Sequence, residues 1–418
     1  MRQSLLFSKS RHNFPRDEVA NNAKMLIRAG FVNKELAGIY SYLPLGLLVL
    51  NRISDLVRRE MNNLGAQEIL MPTIQNPQIW KETGRWDNLD VWFKSKINAG
   101  GDIGLGWTHE ENVINIMKNN ISSYRDLPVA IFQIQNKFRN EERAKSGLMR
   151  GREFLMKDLY SFHLNEEDLD DYYEKVAHSY RLIFDKLGLG DITYQTVASG
   201  GLFAKWSHEF QTLCPSGEDQ IYISEKRRLA INSEVYNQNT LTEFGLKAEE
   251  LLSRSSCEVG NIFKLKTRFS EPLGLYYSDQ GGENKVVQMG CFGIGISRLL
   301  GVIAEVFSDE KGLSWPEVVA PFLVHLLILG EDKEMTFLAE GFYQKAQKAG
   351  ISVLLDDRKE SAGQKLSTAD LLGMPYRAIV SKNTAGRISL KSRKSDKEEI
   401  FSVDSLINYL SDIKSKLC

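Results

Sequence analysis

The sequence predicts a large α+β domain with a mostly antiparallel sheet, followed by a smaller α/β domain. Its 418 residues suffice for two or three domains, each with its own core. Amphipathic helices and strands with one polar face fill the first three hundred residues. After Trp315-Pro316, apolar strands and helices alternate, which is typical of a separate α/β domain of about 100 residues.

The composition excludes several classes of protein. The 53 Lys and Arg residues against 54 Asp and Glu residues exclude a polybasic protein, although a local basic patch remains possible. No 18-residue apolar run predicts a membrane span, and Leu5-Leu6-Phe7 is too short for a signal-peptide core. The four cysteines form no Cys-x-x-Cys pair, so neither a disulfide framework nor a zinc site is expected. We therefore predict a soluble protein of a reducing compartment, the cytoplasm.

Two long helices are predicted in the first domain. Apolar residues recur at helical spacing between Leu45 and Leu64, and Glu68 to Pro72 follow as a short strand. The second helix begins after Asn165, a residue type that caps helices, and three acidic residues form its first turn. Its apolar stripe consists of Leu169, Tyr173, Val176, Tyr180, Ile183, Phe184 and Leu187.

Residues 129–162 are predicted to form two strands joined by a glycine-containing loop. In the first strand, Phe132, Ile134 and Phe138 alternate with Gln133, Gln135, Lys137 and Arg139. One face is therefore apolar, and the other is unusually polar for a strand inside a domain. Such a face needs water or a ligand to satisfy its polar groups.

The smaller domain begins with the apolar run Phe322 to Leu329. A helix to about Lys348 and a strand from Ser352 to Asp356 are predicted next. A helix near 363–372, a strand over 376–381, a polar hairpin and a helix near 403–410 complete the pattern.

The polar strand face carries the first chemical signal. Period-two geometry places Arg139 and Glu141 on one face, and Arg150, Phe154 and Asp158 on one face of the returning strand if that strand is extended. Guanidinium, carboxylate and aromatic groups are what a nucleotide site needs for phosphate, an exocyclic amine and the base. A cross-strand salt bridge beside a core phenylalanine is the alternative.

A glycine-rich strand supplies the second signal. Gly290, Gly293 and Gly295 would let a ligand approach closely, and Arg298 opens the following helix, where the dipole also favours an anion. Close packing of strand on helix is the alternative for this segment. The spacing is not Gly-x-Gly-x-x-Gly, so a dinucleotide fold is not predicted.

In this order, the segments resemble the three signatures of class II aminoacyl-tRNA synthetases. Residues 45–72 look like motif 1, which builds the dimer interface in that class, residues 130–162 look like motif 2, and residues 290–307 look like motif 3, with Ser297 where the generic motif is acidic. The resemblance implies a class II catalytic domain at 1–318 and an anticodon-binding domain at 319–418.

Within the class, the match is closest to bacterial prolyl-tRNA synthetases. The carrying stretches are Ala37 to Gly46, Thr108-His109-Glu110-Glu111, Arg150 to Phe154, Ser207 to Phe210 and Cys257 to Phe263. Residues 220–256 are too few for the editing insertion of the common bacterial form, so the chain resembles the compact form. The family's glycine pair before Ser207 is displaced to Gly200-Gly201.

The resemblance implies ATP-dependent activation of L-proline and transfer of the prolyl group to tRNA(Pro) by a homodimer. Arg139 and Arg298 would be catalytic, and Mg²⁺ is implied, with ligands unknown and no zinc expected. The residues implied for ATP are Arg139, Glu141, Arg150, Phe154, Asp158, Gly295 and Arg298. The residues implied for proline are Thr108, Glu110, Arg139 and His208.

Several alternatives remain at this point. Thr108 to Glu111 could be an ordinary helix capping box, and His208 a structural histidine. A basic run in the smaller domain could contact tRNA phosphates or be a solvated loop; it comprises Lys382, Arg387, Lys391, Arg393 and Lys394. An inactive, synthetase-like tRNA-binding protein is the alternative function, and another amino acid, such as threonine, is the alternative substrate.

Overall fold

The structure is a computed structural model that describes residues 1–144, 146–200 and 206–417. Contacts divide it into two compact units, one of residues 1–35, 40–52 and 303–417 and the other of residues 36–39 and 53–302. No helix of these described residues is long and apolar enough to cross a membrane. The predicted boundary between 318 and 319 remains a prediction.

The elements are numbered in chain order. The helices are α1 Asn21–Arg28, α2 Pro44–Asn63, α3 Pro77–Glu82, α4 Arg85–Asn88, α5 Glu110–Met117, α6 Glu166–Lys186, α7 Gln238–Glu243, α8 Ile296–Phe307, α9 Lys333–Lys348, α10 Ala362–Leu372 and α11 Val403–Ser415. The first strands are β1 Val32–Leu36, β2 Ile39–Tyr42, β3 Gln67–Glu68, β4 Ile74–Gln75, β5 Lys94–Lys96, β6 Asp102–Leu105, β7 Val129–Phe138, β8 Glu153–His163, β9 Thr193–Ser199 and β10 Trp206–Leu213. The remaining strands are β11 Asp219–Ser224, β12 Leu229–Asn232, β13 Leu252–Lys266, β14 Tyr276–Ser278, β15 Asn284–Val286, β16 Gln288–Gly295, β17 Val324–Leu329, β18 Val353–Asp356, β19 Tyr376–Ser381, β20 Ile388–Ser392 and β21 Glu398–Phe401.

The unit of residues 53–302 is built on a nine-stranded sheet in the order β10-β9-β12-β11-β13-β16-β8-β7-β3. All its pairings are antiparallel except β12 with β9 and β3 with β7. The mostly antiparallel α+β domain is therefore confirmed. One face of the sheet is covered by α6, whose buried Tyr180 donates a hydrogen bond to Gly293 O at 3.0 Å.

The predicted helices agree closely with the structure. Helix α2 covers the predicted stretch, and Asn165 caps α6 by accepting a hydrogen bond from Asp168 N. The strand predicted over Glu68 to Pro72 is wrong in length, because β3 contains only Gln67 and Glu68. Beyond Ile69, side chains of β7 replace the backbone ladder: Gln133 Oε1 accepts from Met71 N at 3.0 Å.

Residues 220–256, predicted to be too few for an editing domain, lie within the segment 219–266. This segment forms β11, β12, α7 and β13, all within or against the same sheet. Strand β13 pairs with β11 over Leu252–Ser256 and with β10 over Ser256–Ile262. The segment therefore extends the catalytic sheet and forms no separate domain.

The unit that includes residues 303–417 contains the predicted α/β domain. Its five-stranded sheet has the order β18-β17-β19-β20-β21, in which the first three strands are parallel and the last two antiparallel. Helices α9 and α11 bury one face of the sheet with a core that includes Leu326, Phe342 and Leu406. The strand and helix positions predicted after Trp315 are confirmed.

Candidate active site

The polar face of β7 is buried, and its partners come from β8. Gln133 pairs with Asp158 in the sheet register and Lys137 pairs with Phe154, so these four side chains share one face. The Lys137 Nζ lies 2.9 Å from an Asp158 oxygen, and Gln133 donates to the other oxygen at 2.9 Å. Protein groups therefore satisfy the base of this face, and a ligand is not needed there.

His109 joins this buried network. Its Nε2 lies 3.1 Å from Pro72 O, which can only accept, and its Nδ1 lies 3.0 Å from Lys137 Nζ. We assign the proton to Nε2 on this basis. Burial, with the nearby lysine, lowers the pKa of His109 to about 4. The neutral ring thus fixes the start of α5.

Glu110 extends from α5 toward this face of the sheet. Its Oε1 accepts from Thr108 Oγ1 at 2.8 Å, and its Oε2 accepts from Arg85 Nη1 at 3.0 Å. Cys291 on β16 also points its sulfur at Oε1, 3.5 Å away. The capping-box alternative is wrong, since His109 is the N-cap of α5 and makes no side-chain cap hydrogen bond.

Arg85 was missed in the sequence and lies at the centre of this cluster. It is 6% exposed and donates to Glu110 and to Glu111, whose oxygens lie at 3.1 and 3.2 Å. Its guanidinium lies over the ring of Trp107, 5.3 Å from the ring centroid. Burial raises the pKa of Glu111 to about 7. Arg85 therefore binds both carboxyl groups, and the Oε1 of Glu110 stays directed at Thr108.

Arg139 lies between the glutamate cluster and a polar cavity. Its guanidinium carbon is 4.8 Å from the Trp107 ring centroid and 5.3 Å from that of Phe154. Its Nε is buried without a hydrogen-bond partner among the described residues. Burial and the neighbouring Arg298 lower the pKa of Arg139. A buried donor next to a second guanidinium is suited to an anion.

The polar cavity has a volume of about 210 Å³ and contains both motif arginines. Arg298 donates from Nε to Met149 O at 2.8 Å and from Nη1 to Glu258 Oε2 at 3.2 Å. At the end of β16, a Cβ on Gly295 would lie 3.0 Å from the Cβ of Arg298, so a glycine there leaves space for this arginine. The cavity is lined by Arg139, Glu141, Ser146, Met149, Arg150, Ser216, Gly217, Glu218, Asp219, Cys257, Glu258 and Arg298.

Arg150 lines this cavity but is not where the strand pattern predicted. Strand β8 begins at Glu153, and Arg150 ends a single 3-10 turn with φ −137° and ψ 85°. Its side chain donates to Glu141 at 2.7 Å and to Glu218 at 2.6 Å. The prediction that Arg150 shares the strand face is therefore wrong, because the chain leaves the ladder before reaching it.

Two of the predicted ligand-binding residues, Asp158 and His208, do not line the cavity. Asp158 is buried beneath the site in its pair with Lys137 and does not line the cavity. His208 pairs with Ile262 in the sheet, and its Nδ1 lies 2.7 Å from Tyr173 OH on α6, so it faces away from Asp158. Burial lowers its pKa to about 4. Its role toward proline stays a prediction that this position does not favour. Of the displaced glycine pair, Gly200 is described, whereas Gly201 and residues 202–205 lie outside the described residues.

The neighbour of His208, Glu209, lies on the face of the sheet that carries the cavity. It pairs with Asn261, which pairs in turn with Gly293. Burial, and then the charge of Glu258, raises the pKa of Glu209 to about 8. Gln211 donates one hydrogen bond to Glu209 and one to Asp219, both at 2.9 Å.

We expect the buried carboxyl group of Glu209 to make the free energy of unfolding fall as the pH rises. Glu209 ionises at its ordinary pKa in the unfolded chain but only near pH 8 in the folded one, so its contribution to stability is fully present below about pH 4.5 and is lost as the pH rises toward 8. Between pH 5 and 7.5 it should fall by roughly 1.4 kcal/mol per pH unit per such proton. Denaturant unfolding of Glu209→Gln should show a shallower slope than the wild type. The exposed Glu249→Gln is the control, and an equal slope in all three proteins would contradict the assignment.

Four of the five residues of the basic run line one of two cavities, and Arg387 lines neither of them. Lys391, Arg393 and Lys394 line one of about 480 Å³, together with the ion pair Arg377–Asp370, which joins at 2.6 Å. Lys382 lines another, of about 660 Å³. Arg393 makes two hydrogen bonds to Asp309, at 2.6 and 2.8 Å. Of the other members of the run, Lys391 pairs with Asp396 at 2.9 Å, whereas Lys382, Arg387 and Lys394 make no ion pair with any described residue.

Family comparisons agree with this architecture. Residues 93–307 match the model of the tRNA synthetase class II core domain (G, H, P, S and T), and residues 323–413 match that of the anticodon-binding domain. The proline–tRNA ligase of Anaplasma phagocytophilum is 37% identical over 98% of this chain and 100% of its own length. The chain belongs to the prolyl-tRNA synthetases of class II.

Further relatives distinguish two forms of the family. The prolyl-tRNA ligase of Zymomonas mobilis is 36% identical over 438 residues, which cover 98% of this chain and 99% of that protein. The relative in Bacillus cytotoxicus is 30% identical over an alignment of 565 residues, which covers 99% of this chain and 100% of that protein. The alignment is therefore much longer than this chain of 418 residues. The excess is an insertion that this chain lacks, so the prediction of the compact form is confirmed.

Solved structures share the fold. The prolyl-tRNA synthetase of Cryptosporidium parvum, complexed with L-proline and AMP, aligns with a TM-score of 0.77 at 17% identity, over 95% of this chain and 76% of that one. The enzyme of Giardia lamblia in complex with prolyl-adenylate gives 0.76 at 19% identity, over 94% and 78%. The relatives are named for proline ligation, so neither an inactive homologue nor a threonine enzyme is supported.

Proposed function

We propose that this chain activates L-proline with ATP and transfers the prolyl group to the 3′ end of tRNA(Pro). In the first step, a proline carboxylate oxygen attacks the α-phosphorus of ATP, and the bond to the bridging oxygen breaks to release pyrophosphate. In the second, a ribose hydroxyl of the tRNA attacks the prolyl carbonyl, loses its proton and releases AMP.

The observation that carries this proposal is the position of Arg139. It connects the Glu110 cluster with the cavity that contains Arg298, and its buried Nε has no partner among the described residues. Prolyl-adenylate joins a cationic amine to a phosphate, and this arrangement offers a carboxylate on one side and guanidinium groups on the other. Positioning and charge neutralisation are the main catalytic demands of such a step.

Within this proposal each side chain has a role. Thr108 and Glu110 hold the secondary ammonium of proline, and Arg139 binds the carboxylate and the α-phosphate. Phe154 stacks on adenine, Glu141 accepts from its amine, Arg150 and Arg298 bind outer phosphates, and Gly295 leaves them space. We assign Asp158 and His208 to positioning, through Lys137 and Tyr173 respectively.

Mg²⁺ is the expected companion of ATP in this proposal. It prefers carboxylate oxygens and usually keeps several waters, so it needs only one or two protein ligands. Among the described residues, no group of three or more metal-binding side chains exists. Asp219 and Glu258 are the carboxylates we propose for the ion, because both line the cavity that contains Arg139 and Arg298. When bound, Mg²⁺ would neutralise phosphate charge.

Two further proposals concern assembly and location. We propose a cytoplasmic homodimer that pairs through residues 45–72. Exposed apolar side chains support the interface, since Leu70 is 77% exposed and Leu47 is 46% exposed. Apolar side chains of this kind are unfavourable when exposed to water and are commonly buried in a dimer interface.

Amino-acid-dependent ATP–pyrophosphate exchange tests the proposed function directly. The purified chain is assayed with each of the twenty amino acids in turn, and we expect strong exchange with proline. Exchange with a different amino acid would overturn the proline pocket, and no exchange at all would overturn catalysis.

We expect the basic run of the smaller domain, which we call the basic hairpin, to bind tRNA and to take no part in the activation of proline. Arg387→Glu with Lys394→Glu should weaken tRNA binding by about tenfold or more, because both charges would repel phosphates. Arg393 is a poor probe, since its reversal also places two acids together at Asp309. Filter binding and pyrophosphate exchange provide the measurements. Lys348→Glu, at an exposed lysine of the same unit, is the control. A loss of pyrophosphate exchange in the double variant as large as its loss of tRNA binding would contradict the assignment.

A further inference from the structure

The first residues of the chain are tied to the α/β domain within one unit. Arg2 donates two hydrogen bonds to Glu340, at 2.7 and 2.8 Å, and forms a parallel β-bridge with Leu355. Ser4 donates from its backbone and its hydroxyl to Asp357, at 2.9 and 2.8 Å. This anchor holds one end of residues 5–14, which we call the N-terminal arm.

The other end of the N-terminal arm is held by α1 and the residues after it. Arg11 N donates to Arg28 O at 2.7 Å, and the Arg28 guanidinium lies 4.6 Å from the centroid of the Phe14 ring. A Cβ on Gly30 would lie only 3.1 Å from Lys9 O, so the backbone of the arm is close-packed there. Anchored at both ends, the arm has a defined path over the surface.

A strongly basic cavity of about 590 Å³ lies between the arm and the start of α10. Five lysines and arginines line it against one carboxylate, that of Glu360. Five hydroxyl groups also line it: Ser4 and Thr368 already donate theirs to Asp357 and to Gln364 O, whereas the buried Ser8 Oγ has no hydrogen-bond partner among the described residues. The cationic residues are Lys9, Arg11, Arg28, Arg358 and Lys359, and the hydroxyl residues are Ser4, Ser8, Ser10, Ser367 and Thr368.

Most of this positive charge is not neutralised by the protein. Arg358 pairs with Asp356 at 2.7 Å. The other four cations make no ion pair with any described residue, and Lys9, Arg11 and Lys359 are exposed. Unpaired cations gathered around one concave surface repel one another, so the cavity favours an anionic partner.

We propose that the N-terminal arm and the first turns of α10 bind the phosphate backbone of tRNA. This inference rests on the proposed function and adds a second RNA contact to the basic hairpin, which belongs to the same unit. The start of α10 favours phosphate through its dipole, and nothing lies within 4 Å of a Cβ built on Gly363, so a backbone can approach. Phe7, which is 74% exposed, offers a ring to an unstacked base.

The test compares a triple variant with a matched control. Lys9→Ala, Arg11→Ala and Lys359→Ala remove three charges from the cavity. Lys333→Ala, Lys348→Ala and Lys416→Ala remove three exposed charges of the same unit that do not line it. Binding of transcribed tRNA(Pro) to the full chain is measured over a range of salt concentrations, alongside proline-dependent pyrophosphate exchange.

We expect the cavity variant to bind tRNA about tenfold or more weakly, and its slope of log Kd against log salt to fall by about 2 to 3. The control should bind like the wild type, and all three proteins should exchange pyrophosphate equally. If the cavity variant matches the control in both Kd and slope, RNA does not bind here and the inference is overturned. Failure of the proposed function is distinguishable, because the wild type itself would then show no proline-dependent exchange.

Discussion

Arg139→Ala should reduce proline-dependent pyrophosphate exchange by about 10²- to 10³-fold, the usual loss when one preorganised donor to a developing charge is removed. The effect is expected mainly in kcat, because the arginine binds the reacting phosphate more strongly as charge develops. Arg139→Lys should not restore the activity, since an ammonium group lacks the planar fork that fits between Trp107 and Phe154.

The control for Arg139 is Arg125→Ala, an exposed arginine of the same unit that lies over Tyr124. It should exchange at the wild-type rate. Thermal unfolding separates catalysis from folding: because the buried Nε of Arg139 has no partner in the described protein, we expect the substitution to reduce activity much more than stability. A fall in stability that matches the fall in activity would contradict the catalytic assignment.

Arg85→Met should both destabilise the protein and weaken proline binding. It leaves Glu110 and Glu111 buried side by side without their shared cation, and breaking such a buried pair costs about 3–5 kcal/mol. We expect a large rise in the KM for proline, because Glu110 loses the contact that fixes its direction. Denaturant unfolding and exchange kinetics provide the two measurements.

A second substitution distinguishes orientation from simple loss of folding. Glu111→Gln in the Arg85→Met background removes one of the two stranded charges and should recover part of the stability but little of the proline KM. Arg58→Met, at a half-exposed ion pair with Glu68, should cost no more than about 1 kcal/mol. Complete recovery of the KM in the double variant would show that Arg85 does not orient Glu110.

The sequence predicts most where short-range patterns determine structure. Helix α6 has its cap, its acidic first turn and its apolar stripe within about twenty residues, so its position was predicted closely. The alternation along β7 correctly predicted a polar face, because side chains on a strand alternate whatever covers them. The same alternation failed for Arg150, where a 3-10 turn interrupts the strand and changes the direction of the side chain.

Contacts between distant segments explain what the sequence could not predict. No local pattern connects Arg85 with Glu110, which lies 25 residues away, because their meeting depends on how α4 and α5 are placed in the fold. Likewise, the sequence could not show that Lys137 would neutralise Asp158 beneath the site and not bind a ligand. His208 and Glu209 are adjacent, and only the register of β10 shows which of them faces the cavity.

The anchor of the first residues also has a consequence for synthesis on the ribosome. Ser4 finds its partner 353 residues later in the chain, at Asp357. At about 5–20 residues per second, roughly 20–70 s pass between the emergence of the two. During that interval the end of the N-terminal arm next to Ser4, with Leu5 and Phe7 exposed, lacks its docking surface, whereas Arg11 can already meet Arg28. The attachment of this end is therefore among the last events of folding.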